Sequence, residues 1–141
     1  MAHTLEAVFR DDVVTVRPDT LARDAAETMR EAGVGSVVVE ENRHPLGVLT
    51  DRDLTVRVLA DGQDGTETYA REVMTGTPAT VRDDASVFEA ARTMHEEAVR
   101  RLPVVDGAGT LVGLVALDDI HQYLVDEQEH LTGVVAAESP G

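Results

Sequence analysis

Residues 14–39 read VTVRPDTLARDAAETMREAGVGSVVV, and residues 79–104 read ATVRDDASVFEAARTMHEEAVRRLPV. A displacement of 65 residues superimposes the two stretches with 11 identities in 26 positions. Self-similarity at a fixed period indicates that one supersecondary unit occurs twice in the chain. The identical pairs begin at Thr15, Val16, Arg17, Asp19, Ala25, Ala26, Thr28, Met29, Glu31, Val34 and Val39 of the first copy.

The match continues beyond these stretches with a displacement of 66. It places Gly47 on Gly113 and Asp53 on Asp119. The additional residue falls in the turn at 106–109, where an insertion costs little free energy.

Each copy has the predicted order β-α-β-β-α. An extended segment (13–16 or 79–81) precedes an amphipathic helix, two Val-rich runs joined by a turn read as buried strands, and a second helix follows. Asp19 and Asp84 are expected to cap the first helices. The apolar helix positions are Leu21, Ala25, Met29, Ala32, Val87, Ala91, Met94 and Ala98, then Leu54, Val58, Leu59, Ile120, Tyr123 and Leu124.

One such unit buries its sheet poorly alone, so the two copies should pack together. The predicted fold is α/β, in the sense of α+β, with two β-α-β-β-α repeats related by a pseudo-twofold axis. We expect repeats at 5–64 and 65–128, a polar linker at 61–66, and a tail at 129–141 that starts helically and frays. The groove between the repeats then has two similar ends, and each is a candidate ligand site.

The composition narrows the function classes. The chain has 141 residues and no cysteine, which excludes disulfides, thiol catalysis and Cys-ligated zinc. Its net charge of −15 opposes binding to bare nucleic acid or an anionic membrane. All 12 basic residues are arginine, which fits either adaptation to high salt or a GC-rich coding bias. We expect no signal peptide or membrane span and a cytoplasmic location.

Thr50 and Asp53 lie where a predicted strand turns into a helix. The free N–H groups of a helix start favour an anion or a ribose oxygen, and a carboxylate can accept bonds from vicinal hydroxyls. The same Thr-x-x-acid spacing is also that of a helix capping box, so both roles stay open.

The repeat closely resembles the cystathionine-β-synthase (CBS) domain, and the tandem resembles a CBS pair, or Bateman module. The stretch 47–53, GVLTDRD, matches the family's Gly-x-x-Thr/Ser-x-x-Asp nucleotide motif, and 99–106, VRRLPVVD, matches its second-strand signature. The resemblance covers residues 5–127. It implies binding of AMP, ADP, ATP or S-adenosylmethionine between the repeats, regulation of a partner protein, and a homodimeric disc of four repeats.

The second motif departs from the family pattern, because Ala116 stands where threonine belongs. Its site is expected to be weaker or empty, although Asp119 could still hold a ribose. Arg100 and Arg101 are the phosphate candidates, and Arg52 could assist. The alternative is that the arginine pair meets surface carboxylates such as Glu96 and Glu97.

For the adenine ring we expect an apolar slot among five residues, although most of them could equally be core. These are Val14, Thr15, Val16, Val34 and Val48.

The predicted function is a regulatory sensor of adenine nucleotides that modulates an unidentified partner. The alternative is a ligand-free scaffold for dimerisation, which Ala116 favours. An enzyme is not expected, because no catalytic constellation is visible, and the five histidines lack metal-ligand spacing. Apolar positions on the outer helices suggest a homodimer; they include Leu124, Leu131 and Val135.

Overall fold

The computed structural model describes residues 4–76 and 79–138, with side chains to residue 132. The predicted element order and the α+β class are confirmed in both repeats. The first repeat comprises β1 (Thr15–Val16), α1 (Ala22–Ala32), β2 (Ser36–Glu41), β3 (His44–Thr50) and α2 (Asp51–Asp53), which continues as a π-helix, Leu54–Ala60. Then come α3 (Ala70–Val73), β4 (Thr75–Gly76), β5 (Val81–Arg82), α4 (Val87–Glu97), β6 (Arg101–Val105), β7 (Leu111–Ala116) and α5 (Leu117–Glu138).

The two sheets share a three-strand arrangement, to which the first sheet adds β4 beside β3. In the first, β1 runs parallel to β2, and β2 and β3 form an antiparallel hairpin. In the second, β5 runs parallel to β6, and β6 and β7 form the hairpin. Each sheet is covered by a core rich in valine and alanine, and each has a register shift at the equivalent point, after Val39 or Val104.

Each repeat begins with a segment that packs on the sheet of the other repeat. We call these segments, residues 4–10 and 69–76, the leading segments, because each precedes the parallel first strand of its own repeat, β1 or β5. Leu5, in the leading segment of the first repeat, is fully buried in the core of the second. Ala70 and Val73, in the leading segment of the second repeat, are buried in the core of the first.

Backbone hydrogen bonds fix this exchange in equivalent places. The Leu5 N–H donates to the Ala85 carbonyl at 3.0 Å, and the Ala70 N–H donates to the Thr20 carbonyl at 2.7 Å. Residue 10 then pairs with Leu114 of β7, as β4 pairs with β3. The division at 5–64 and 65–128 stays a prediction, and packing crosses it in both directions.

Each leading segment crosses the sheet of the other repeat directly over the motif glycine of that repeat. A Cβ on Gly47 would lie 2.6 Å from the Thr75 carbonyl oxygen, and one on Gly113 would lie 2.6 Å from the Arg10 carbonyl oxygen. Real Cβ atoms do not approach oxygen so closely. The glycine at the start of each motif therefore admits the other repeat's leading segment.

Replacing either motif glycine should destabilise the protein. We expect Gly47→Ala and Gly113→Ala each to lower the free energy of unfolding by about 1–3 kcal/mol, because the backbone of the leading segment must move. Urea denaturation followed by circular dichroism measures the change.

Gly76→Ala is the matched control, because nothing lies within 4 Å of its added Cβ. Its effect should stay within about 0.5 kcal/mol. Equal effects of all three substitutions would contradict the crossing as the cause.

The predicted helix caps need correction. Asp19 and Asp84 do not cap the helices; they lie beside Arg17 and Arg82, at 3.4 and 3.1 Å. Both helices begin later than predicted. In α4 the Ser86 hydroxyl accepts from the Glu89 N–H at 3.1 Å, whereas Leu21 precedes α1 without a side-chain cap.

The apolar positions of the helices are confirmed in part. Ala25, Met29, Val87, Met94 and Ile120 are buried as expected. The neighbours Ala22 and Ala90 are also fully covered, whereas Ala32 and Ala98 are exposed at the helix ends.

The second helices also differ from expectation. Leu59 is 77% exposed, because the chain continues there as a π-helix that turns this side chain outward. Leu124 packs against the second core, whereas Leu131 is 63% exposed. The predicted tail does start helically, as part of α5. The side chain of Val135 and the predicted fraying at 139–141 lie outside the described residues.

Within the described parts of the chain, no helix is long and apolar enough to cross a bilayer.

The linker turn is organised by Asp64. Its carboxylate accepts hydrogen bonds from the Thr66 hydroxyl at 2.6 Å and from the Thr66 N–H at 2.8 Å. These bonds hold the pKa of Asp64 below its ordinary value, because they stabilise the charged form.

Thr66→Val should raise the pKa of Asp64 toward its ordinary value, because the larger contribution comes from the hydroxyl. The folded-state pKa is lowered, so this turn adds stability above the ordinary pKa and loses it as pH falls through the folded pKa. An NMR titration of the Asp64 carboxyl measures the change. Thr66→Ser keeps the hydroxyl and should leave the titration unaltered; an equal rise in both variants would contradict this assignment.

Candidate functional site

Two clefts lie between the repeats at equivalent positions. The first cleft has a volume of about 400 Å³, within the usual range for small-molecule sites. It is lined by the motif residues of the first repeat and by the turn from α4 into β6 of the second. The lining residues are Val48, Thr50, Asp51, Arg52, Asp53, Thr75, Ala98, Val99, Arg100 and Arg101.

Thr50 and Asp53 form a reciprocal capping box at the floor of the first cleft. The Asp53 N–H donates to the Thr50 hydroxyl at 3.1 Å, and the Thr50 N–H donates to Asp53 Oδ2 at 2.9 Å. The capping role is therefore realised. Asp53 is only 9% exposed, yet it lines the cleft, and a carboxylate has further acceptor sites for a ligand hydroxyl.

Arg57 ties this floor to the leading segment of the second repeat. Its Nη1 lies 3.7 Å from Asp53 Oδ1 and donates to the carbonyls of Val73 and Met74 at 2.9 and 3.0 Å. Arg57 lies outside the motif, so the sequence reasoning missed it. Its spacing of four residues from Asp53 on one helix was the available signal.

Arg100 and Arg101 enter the first cleft from the second repeat. Arg101 is the first residue of β6, and Arg100 precedes it in the turn after α4. Ala98 opens that turn with a left-handed backbone, φ +55°, at the position equivalent to Gly33. Among the side chains of residues 4–76 and 79–132, neither arginine has a carboxylate within 4.0 Å, so the alternative pairing with Glu96 or Glu97 is not observed.

The second cleft has a volume of about 380 Å³ and a different lining. Arg10, from the leading segment of the first repeat, lies 3.5 Å from Asp119. Ala116 has no hydroxyl, so the Thr50 side of the capping box has no counterpart here. The cleft is lined by Arg10, Asp12, Val13, Val14, Gly33, Val34, Gly35, Ser36, Arg101, Leu114, Ala116, Asp118 and Asp119.

The structure divides the residues predicted for the adenine slot. Val48 lines the first cleft, whereas Val14 and Val34 line the second, beside Ala116 and not beside Thr50. Thr15 lies on a separate depression near Arg43, and Val16 is buried in the first core. The five residues expected to form a single slot are thus distributed over two clefts, a separate depression and the first core.

The charges of the two clefts differ in sign. The first cleft holds three arginines against two aspartates, and the second holds two arginines against three aspartates. Arg101 is counted in both, because it is among the residues that line each cavity. In a chain of net charge −15, the first cleft is a local exception that favours an anionic group.

Comparison with known proteins gives the family. The family model of the CBS domain matches the chain twice, at residues 5–60 and 70–126. The chain belongs to the CBS-domain family. The resemblance inferred from the 47–53 motif and the repeat is confirmed.

Two curated relatives and one solved structure illustrate the similarity. An uncharacterized protein of Methanopyrus kandleri, MK0525, is 43% identical over 122 residues, which are 84% of this chain and 62% of that protein. The CBS domain-containing protein YhcV of Bacillus subtilis is 39% identical over 108 residues, 77% of this chain and 76% of that one. The CBS domain protein PAE2072 from Pyrobaculum aerophilum complexed with AMP has a TM-score of 0.73 and 25% identity, over 82% of this chain and 88% of that chain.

This CBS pair thus spans less than two thirds of the length of the Methanopyrus relative.

Thr50→Ala tests the capping role of the motif. It should lower the free energy of unfolding by about 0.5–2 kcal/mol, because the Asp53 N–H loses its acceptor at the helix start. Thermal and urea denaturation measure the loss.

Thr55→Ala is the control, because the exposed Thr55 hydroxyl donates only to a carbonyl one turn earlier, that of Asp51. It should change stability by no more than about 0.5 kcal/mol. A Thr50 variant as stable as the Thr55 variant would show that the hydroxyl adds nothing as a cap.

Proposed function

We propose that this CBS pair is a regulatory module that binds an adenine nucleotide in its first cleft and modulates a partner protein. The observation that carries the proposal is the meeting of two unlike groups in one cavity. Thr50 and Asp53 come from the first repeat, and Arg100 and Arg101 come from the second. The AMP complex of the relative PAE2072 supports the ligand class.

Each group has a role that its chemistry suits. The Asp53 carboxylate accepts hydrogen bonds from the ribose hydroxyls, beside the bond it already receives from the Thr50 N–H. The guanidinium groups of Arg100 and Arg101 bind phosphate oxygens, and Arg52 lies on the same cavity wall. Val48 supplies apolar contact for the base.

Binding would act on the arrangement of the two repeats. The ligand bridges a motif of one repeat and arginines of the other, so it stabilises the geometry in which both reach it. A ligand shifts such an equilibrium only through a difference in affinity between two arrangements. Arg57 also links Asp53 to the leading segment at 73–74, so occupation of the cleft would bear on the exchanged element. No catalytic role is proposed.

Isothermal titration with AMP, ADP, ATP and S-adenosylmethionine, at low and high salt, tests the proposal. We expect Asp53→Asn to weaken nucleotide binding by at least about tenfold, because a ribose hydroxyl loses a charged acceptor. The asparagine oxygen can still accept from the Thr50 N–H, so the helix start is kept.

Asp119→Asn is the matched control at the equivalent position of the second cleft. It should leave the affinity of the first cleft unchanged. The absence of binding by all four ligands, or equal losses in both variants, would overturn the proposal.

A second candidate function is a scaffold that binds no ligand and assembles through apolar surface. Leu59 and Leu131 favour it, because both are large, apolar and mostly exposed. The scaffold predicts a homodimer whose mass by light scattering is the same with and without AMP and falls in a Leu59→Ser, Leu131→Ser double variant. A nucleotide-dependent mass or shape would favour the sensor.

A further inference from the structure

Arg101 differs in size and charge from Ser36, the residue at the equivalent position of the first repeat. It begins β6 and pairs with Ala116 of β7, whereas the equivalent Ser36 begins β2 and pairs with Thr50 of β3. Neighbours across an antiparallel pair have Cβ atoms about 4.5–5.5 Å apart. One repeat therefore combines a short side chain with the motif threonine, and the other combines an arginine with alanine.

Arg101 lines both clefts, whereas Ser36 lines only the second. Arg100 and Arg52 border the first cleft alone. Arg10 borders the second, but it already lies beside Asp119 at 3.5 Å. Of the arginines that line the two clefts, Arg101 is thus the one within reach of a phosphate group in either.

The charges of the two clefts prevent both from using Arg101 at the same time. Without Arg101, the first cleft retains two arginines against two aspartates, whereas the second retains one arginine against three aspartates. A phosphate that draws Arg101 into the first cleft leaves a strongly acidic second cleft, which repels another phosphate. The reverse arrangement leaves the first cleft neutral, so the first cleft has the advantage.

We propose that the two clefts compete for Arg101, so that each chain holds one phosphate-bearing nucleotide at a time, in the first cleft. The inference rests on the proposed nucleotide binding and adds its stoichiometry. The coupling is reciprocal, because a ligand in either cleft lowers the affinity of the other by the same factor. This coupling depends on the phosphate group, so a nucleoside without phosphate should not show it.

Isothermal titration calorimetry with AMP and with adenosine, on the wild type and three variants, tests the inference. The wild type should bind one AMP per chain. Arg101→Ala should weaken AMP binding by about 10- to 100-fold, because charge-assisted bonds to phosphate are lost. The same variant should leave the affinity for adenosine unchanged, which a merely structural defect would not.

Ser36→Arg supplies the missing second arginine at the equivalent position. This variant should bind two AMP per chain, and Ser36→Ala should bind one. Circular dichroism establishes that each variant is folded, and amide shifts of Asp53 and Ala116 report which cleft is filled.

The outcomes separate the two proposals. Two independent AMP sites of equal affinity in the wild type would overturn the sharing of Arg101 and leave the proposed function standing. An unchanged affinity in Arg101→Ala would do the same. The absence of AMP binding by the wild type would overturn the proposed function, and the inference with it.

Discussion

The close passage of backbone over glycine is the constraint on which this molecule depends. At Gly47 and at Gly113 the leading segment of the other repeat lies against the strand, too near for any side chain. Burial of Leu5 and Ala70 in the opposite cores stabilises the crossing from the apolar side. Because each repeat completes the other's sheet, the groove between them has fixed walls, and both clefts inherit their geometry from the exchange.

The two clefts show how duplicated architecture can carry unequal chemistry. Thr50 and Ala116 occupy equivalent positions, as do Ser36 and Arg101. Both differences place the unusual residue in the second repeat, which has alanine where the first has the motif threonine and arginine where the first has serine. Each motif aspartate still has an arginine beside it, Arg57 on the same helix in one case and Arg10 from a leading segment in the other. Equivalent positions are thus served by different parts of the chain.

Much of the fold could be predicted from the sequence, because an internal repeat reports the same elements twice. The strand and helix order, the Thr50-x-x-Asp53 cap and the arrival of Arg100 beside it all follow from local pattern and from the resemblance. The exchange of leading segments could not be predicted, because both segments are short and have no hydrophobic periodicity that indicates which sheet they pack on. The adenine slot was not predicted correctly either, because Val14 and Val34 line the second cleft and only Val48 lines the first.

The predicted helix caps and the predicted burial of Leu59 were also wrong, because local pattern alone did not determine them. Asp19 and Asp84 had the right chemistry for a cap, but the helices start two or three residues later and leave them to neighbouring arginines. Leu59 satisfied a regular 3.6-residue spacing, which a π-helix does not keep. Arg10 and Arg57 lie outside every motif, and only the folded chain shows what they touch.

The exchange has a consequence for how such a chain can arise. A single copy of the repeat would have a sheet with an unpaired edge and a leading segment without a sheet to pack on. Two separate copies could satisfy each other by trading leading segments, as in a domain-swapped dimer. Joining them through the short polar stretch at 61–66 turns that association into an intramolecular one, with an effective concentration on the order of millimolar. Once fused, the halves no longer need to be identical, so one can carry threonine and serine where the other carries alanine and arginine.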